Sequence, residues 1–210
     1  MKNFILIPVL FLFPLIFVGQ TIEGIEVVGS STEGYIPVMK NKQWGIINLE
    51  GEKVIDFRSD LIYNETPGTG ADLGVASLRF PALIDDRAII RKIDNQIPYY
   101  GFIDSNGSTV IEPQFLNVSN FKNGLAFALK VEERFLGRNN LLDKTMKSYR
   151  YDVVLIDTSG EVKTYLAGPF PVNIDRKKLR VAPMIEAKWI GENLAAVKTP
   201  EKKWTIHKIE

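Results

Sequence analysis

From residue 33 onward, short alternating apolar runs are broken at regular intervals by Asn, Asp and Gly. "GYIPVMKN" begins at Gly34, "RAIIRKID" at Arg87, "NGLAFALK" at Asn123 and "ENLAAVKT" at Glu192. Each alternates small or apolar residues and reaches a basic residue near its end, the pattern of a strand with a buried face. An aromatic stands a few positions ahead of three of them: Phe80, Phe121 and Trp189.

A second element follows each of the first three runs. Ile47-Asn48-Leu49-Glu50-Gly51, Ile103-Asp104-Ser105-Asn106-Gly107 and Ile156-Asp157-Thr158-Ser159-Gly160 share one template: Ile, then Asn or Asp, two residues, then Gly. Apolar residues precede each: Trp44-Gly45-Ile46, Tyr100-Gly101-Phe102 and Val153-Val154-Leu155. Val54-Ile55 and Val110-Ile111 follow the first two turns, whereas the third is followed by Glu161-Val162-Lys163. Asn or Asp at the first turn position accepts hydrogen bonds from the backbone two residues on. Gly at the fourth supplies positive φ, through which a type I turn passes into the next strand. The template therefore predicts three β-hairpins, spaced by 56 residues (Ile47 to Ile103) and 53 (Ile103 to Ile156). A calcium-loop reading of "DSNG" fails, because the alternating ligands and the terminal carboxylate of such a loop are missing.

These residues resemble the WG-repeat family. The strongest likeness is "YYGFIDSNGSTVIEPQFLNVSNFKNGLAFAL", residues 99–129, followed by "GYIPVMKNKQWGIINLEGEKVIDF", residues 34–57, which holds the Trp44-Gly45 dipeptide itself. The third unit has Val153-Val154 in place of the aromatic–glycine pair, and a last stretch, "KKWTIHKIE", puts Trp204 and Ile206 where Trp44 and Ile46 stand. The resemblance implies an all-β array of antiparallel hairpin repeats and a binding or interaction role, with no catalytic residues to carry over. Units are expected at about 33–64, 87–120 and 123–168, with a truncated fourth at 192–208, all in one domain spanning 21–210. Three and a half uneven units favour an open, twisted or partly closed array, with propeller-like closure as the alternative.

A single hairpin is marginal in water, because it cannot bury both faces. Stacked on its neighbours it shares a continuous apolar layer, to which an aromatic ring contributes much of the area. Trp44 and Tyr100 are accordingly read as packing residues, and Gly45 and Gly101 as positions where another backbone or ring comes close. Asp104, Asp157, Gly51, Gly107 and Gly160 complete the set of structural, repeat-defining residues.

The first twenty residues differ in kind. After Lys2, the run Phe4 to Val18 is unbroken and apolar, with Pro8 and Pro14 inside it. Fifteen helical residues rise about 22 Å, short of the roughly 30 Å hydrocarbon layer. A positive start, an apolar centre and a small residue at the end predict a secretory signal peptide over 1–20, cleaved near Gly19 or Gln20. The mature chain is then expected to be exported (periplasmic, at the cell surface or secreted) with no stable membrane span.

Composition narrows the function further. The 210 residues include 26 Lys and Arg against 25 Asp and Glu, so the charge excess that phosphate-binding chains show is missing and nucleic acid is not an expected partner. There is no cysteine, which excludes disulfides, thiolate metal sites and thiol nucleophiles, and suits a bacterial envelope. His207 is the single histidine, close to the last residue. A Ser-His-Asp triad there would rest on a fraying strand. Asp85-Asp86 and Glu132-Glu133 are adjacent, so on strands their carboxylates would point to opposite faces. No catalytic, metal or cofactor site is predicted.

Three stretches break the pattern: residues 64–86, 132–152 and 173–180. Gly68-Thr69-Gly70 with Gly74 lacks the spacing and the βαβ setting of a phosphate loop. The others are read as solvated loops that could present a surface to an anionic ligand, with Arg176, Lys177 and Lys178 as its candidates. The expected partner is an envelope protein or a glycan; the alternative to an interaction module is a carbohydrate-binding protein, or a hydrolase, using the long inter-repeat loops as a pocket. Tyr63, Tyr99 or Tyr165 lining a groove would point to the glycan.

Overall fold

The computed structural model describes residues 21–63, 79–139, 143–172, 183–199 and 201–209. The signal-peptide segment, residues 64–78 and the basic stretch with Arg176, Lys177 and Lys178 lie outside the described residues. What is described contains no helix. Strands β1 (Val27–Val28), β2 (Ile36–Lys40), β3 (Gln43–Ile47) and β4 (Lys53–Arg58) form one antiparallel sheet in chain order. A seven-stranded sheet follows: β5 (Leu83–Ile84), β6 (Arg87–Asp94), β7 (Ile97–Ile103), β8 (Thr109–Val118), β9 (Leu125–Asn139), β10 (Lys144–Asp157) and β11 (Val162–Val172). The last sheet holds β12 (Ala187–Trp189), β13 (Leu194–Lys198) and β14 (Trp204–Lys208).

Three kinds of turn repeat. Asn48, Asp104 and Asp157 each open the expected Asx-type turn. The Asp104 carboxylate accepts from the amides of Asn106 and Ser108 at 2.9 Å, and that of Asp157 from Ser159 at 2.9 Å and Glu161 at 3.0 Å. The Asn48 side chain does the same for Glu52, at 2.8 Å. Gly51, Gly107 and Gly160 close these turns with φ of 81°, 77° and 85°. The other two turns are two-residue hairpin loops with positive φ at both positions: Glu33-Gly34, Asp85-Asp86 and Asn123-Gly124 before the first long strand of each unit, and Asn41-Lys42 and Asn95-Gln96 after it. This left-handed geometry matches the twist of a hairpin, and Asn, Asp and Gly tolerate it. It also corrects the strand setting considered for Asp85-Asp86, which form a turn.

The first three units are linked in one way. The exit of the last strand of each of the first two units pairs with the first long strand of the next, Leu61 with Ile90 and Val118 with Ala128; in the fourth unit β12 takes that place beside β13, Ala187 with Val197. The amide of Arg91 donates to the carbonyl of Asp60 at 2.9 Å, and that of Ser119 to Phe127 at 2.8 Å. Four units result: β1–β4, β5–β8, β9–β11 and β12–β14. β8 belongs to two of them, pairing β7 through Phe102 and Ile111 and then β9 through Val118 and Ala128. The irregular register on both sides of β8 marks where the seven-stranded sheet passes from one unit to the next.

The units stack face to face, with an apolar layer at each junction. Trp44, Ile46 and Ile55 of the first unit meet Ala88, Ile90 and Ile103 of the second. Tyr100, Phe102 and Ile111 of the second meet Ala126, Ala128, Val154 and Ile156 of the third. Phe127, Val153 and Leu155 of the third meet Ala195 and Val197 of the fourth. Strands of the middle units are thus buried on both faces, which is why "AII", "LAFAL" and "VVLI" read as nearly unbroken apolar runs. The described strands close into no barrel, and the array is open and twisted.

Candidate functional site

Trp44 and Tyr100 sit inside these layers, 4% and 1% exposed. The Trp44 ring lies 5.4 Å from Tyr63 and 5.8 Å from Phe80, tilted or edge-on to both. Gly101 is pressed on the β8 backbone, where a Cβ would lie 2.2 Å from the carbonyl oxygen of Ile111. Gly45 makes the looser equivalent, 3.0 Å from the Ile55 oxygen and 3.2 Å from the Phe57 ring. The aromatic–glycine pair therefore packs one way through its ring and the other way through its missing side chain.

The turns interlock as well. The Asp85 carboxylate accepts from the Gly124 amide at 2.8 Å while the Asp85 amide donates to Glu33 at 3.0 Å, tying three units together. Asp86 accepts from the Ser105 amide at 3.1 Å, and the Arg87 guanidinium donates to the Thr158 carbonyl at 3.0 Å. No repeat template identified these contacts in advance. Their only sequence signal is the acidic or Asn-Gly pair ahead of each strand run.

Between the first two units lies a polar cleft of about 520 Å³ lined by Gln43, Phe57, Arg58, Asp60 and Asn106. The Arg58 guanidinium donates to both Asp60 oxygens, at 2.5 and 2.8 Å, and to the Gly107 carbonyl at 3.0 Å. With its charge neutralised in a fork-to-fork pair, Arg58 reinforces the junction instead of offering itself to an anion. A smaller hollow of about 200 Å³ is lined by Tyr151, Phe170, Met184, Glu186 and Lys198. The Tyr151 and Phe170 rings are 5.4 Å apart there, and burial, followed by the charge of Glu186, pushes the Tyr151 hydroxyl above its ordinary pKa.

The clearest departure from expectation is the 132–152 stretch. In place of a solvated loop, β9 and β10 run on as one long hairpin, in register from Asp157 with Leu125 out to Lys144 with Asn139. Among the described residues β8 stops pairing at Lys130 and β11 pairs no farther out than Tyr149, so there the outer part is a two-stranded arm. Phe135, Leu136 and Met146 are exposed on it. Tyr149 donates to Glu133 at 3.0 Å, and Arg138 is ion-paired with Asp143. Nearer the core, burial and then the neighbouring Glu132 hold the Asp152 carboxyl above its ordinary pKa. Charged residues without apolar alternation (Glu132, Glu133, Arg134 and Arg138) hid the strand character, because both strands of an arm outside the core carry polar residues on both faces.

The three tyrosines do not share a groove. Tyr63 packs on Trp44, Tyr99 is half-buried in the layer around Phe127 and Leu129, and Tyr165 is exposed, with the Lys130 ammonium donating to its hydroxyl at 3.0 Å. Among the described residues no group of His, Asp and Glu is arranged to hold a metal ion, and no helix is long and apolar enough to cross a membrane. His207 is half-buried on β14, and its Nε2 has no hydrogen-bond partner among the described residues.

Stacked hairpin units, with an aromatic–glycine pair under the first two junctions, define a β-repeat protein. Residues 44–66 and 100–130 match the model of the WG containing repeat, so these two segments are similar to WG repeats. Trp44-Gly45 and Tyr100-Gly101 open the two matched segments. No curated protein matches the sequence. Among solved structures, the crystal structure of the computationally designed Ika4 protein aligns with 89% of this chain and 91% of its own, at 9% identity and a TM-score of 0.40. That likeness carries no argument about this chain.

Proposed function

We propose that this WG-repeat protein is an exported binding module of a bacterial envelope that acts by surface contact and performs no catalysis. The observation that carries the reading is the β9–β10 arm. It leaves the core for the length of a strand and exposes Phe135, Leu136 and Met146 among charged residues. Apolar side chains held on an ordered, protruding hairpin and rimmed by charge are the anatomy of a protein-contact surface. The apolar run Phe4 to Val18, read as a signal peptide, supports export. The polar cleft at Arg58 has its charges paired internally, which favours contact through the arm.

Affinity capture from native envelope extract tests this, using tagged residues 20–210 beside a variant with Phe135, Leu136 and Met146 changed to Ser. One stoichiometric protein held by the unmodified chain and lost by the variant is expected. Recovery of polysaccharide would replace the reading with a glycan-binding one, and equal capture by both chains would remove the arm as the contact.

A further inference from the structure

The stacking rule leaves one face without a neighbour. Strand pairing aligns Trp204 and Ile206 with Trp44 and Ile46 and with Tyr100 and Phe102: Trp44 is opposite Met39, Tyr100 opposite Arg91 and Trp204 opposite Lys198. In the first three units this forward face is buried by the rear face of the next unit, where alanines stand beside Ile or Val. Trp44, Tyr100 and Val153 are 4%, 1% and 5% exposed. Trp204 and Ile206, by contrast, are 50% and 62% exposed, beside Leu194, and Lys188 stands 5.0 Å over the Trp204 ring.

At the opposite end of the stack Val38 is buried at 2%, but the edge of that rear face is open. Val28 is opposite Val38 on the rear face of the first unit and is 65% exposed, with Ile36 and Ile47 half-buried. Charge separates the two ends in the same sense. Glu23, Glu26, Glu33, Glu50, Glu52 and Asp56 outnumber the cations of residues 21–58, whereas lysines outnumber carboxylates in 183–209.

We propose that the forward face of the fourth unit, centred on Trp204 and Ile206, docks on the rear face of the first unit of a second copy of this chain. The contact continues between molecules the forward-on-rear order that builds the three junctions within one molecule, and brings the lysine-rich end onto the acidic one. A forward-on-forward pair would instead oppose Lys188 and Lys208 to their own copies, which costs free energy. Because the two surfaces differ, the contact is heterologous, so copies add head to tail until a ring closes or a filament grows. Self-association of this kind requires neither export nor an envelope partner.

Sedimentation velocity across a concentration series of the chain from residue 20 tests it. The expected result is association beyond the dimer that weakens with salt. Ile206→Asp and Val28→Lys each alter an exposed side chain, so each should fold with an unchanged melt and be monomeric alone. Mixed one to one, they should form a dimer and stop there, because one intact face remains on each. A monomeric parent chain would overturn the proposal, as would a Val28→Lys variant that still dimerises alone, since that marks a forward-on-forward contact.

Discussion

Gly101 faces the carbonyl of Ile111 so closely that a Cβ would lie 2.2 Å from the oxygen and 2.6 Å from the Pro113 nitrogen. All the near atoms are backbone, so no side chain can swing away. Gly101→Ala should therefore cost roughly 3 kcal/mol, at the upper end of what overpacking does. At Gly45 the gap to the Ile55 oxygen is 3.0 Å and the nearest side chain is the Phe57 ring, so Gly45→Ala should cost about 1 kcal/mol. Urea midpoints at unchanged slope measure both, and equal losses would refute the close-approach account.

Trp44→Ala empties the junction between the first two units, where the ring touches Tyr63 and Phe80. A loss of about 3–5 kcal/mol is expected, or a drop in Tm of roughly 6–20 °C. Trp44→Phe keeps a ring and deletes an indole N–H that has no partner among the described residues. It should cost far less, and calorimetry on the pair decides whether the ring or its N–H matters.

Asp85→Ala removes the acceptor of the Gly124 amide, leaving that donor without its partner. The expected cost is about 1–3 kcal/mol. Hydrogen exchange at Gly124 should quicken along with it. A slow, unchanged Gly124 amide would mean that the turn contact holds nothing.

Acid should weaken the hairpin turns. Burial opposes ionisation of Asp157, but the Ser159 hydroxyl, Lys163 and the amides of Ser159 and Glu161 outweigh it, so the carboxyl ionises well below its ordinary value. The Ser108 amide, with that of Asn106, lowers Asp104 likewise. A depressed folded-state pKa gives stability that is fully present above the unfolded-state value near 4 and is lost as pH falls below it toward the folded-state value. The Tm should hold from pH 7 to about 5 and fall below pH 4. Asp157→Asn should be less stable at pH 7 and lose less on acidification, which melts of the two chains at pH 7 and pH 3 compare directly.

Much of the fold was legible because each hairpin is specified locally. Asn48, Asp104 and Asp157 fix their turns through their own side chains, and Gly51, Gly107 and Gly160 supply a backbone conformation that other residues resist. The two-residue turns were less legible. Glu33, Asp85 and Lys42 hold positive φ without an Asn-Gly signature, imposed there by strand pairing on both sides. The β9–β10 arm escaped because an unburied hairpin needs no apolar alternation.

By itself, then, the sequence determined the repeat: the core strand runs, the Asx-type turns between them, and which aromatic and glycine face a neighbour. Those are consequences of hydrogen bonds and side-chain alternation within a few residues. Only the tertiary structure decided that each unit lays its forward face on the Ala-, Val- and Ile-lined rear face of the next. It alone decided which carboxylates reach across units, and that Trp204 and Ile206 stand exposed while Trp44 and Ile46 do not. Those residues carry the same local pattern, and what separates them is whether another unit lies on top.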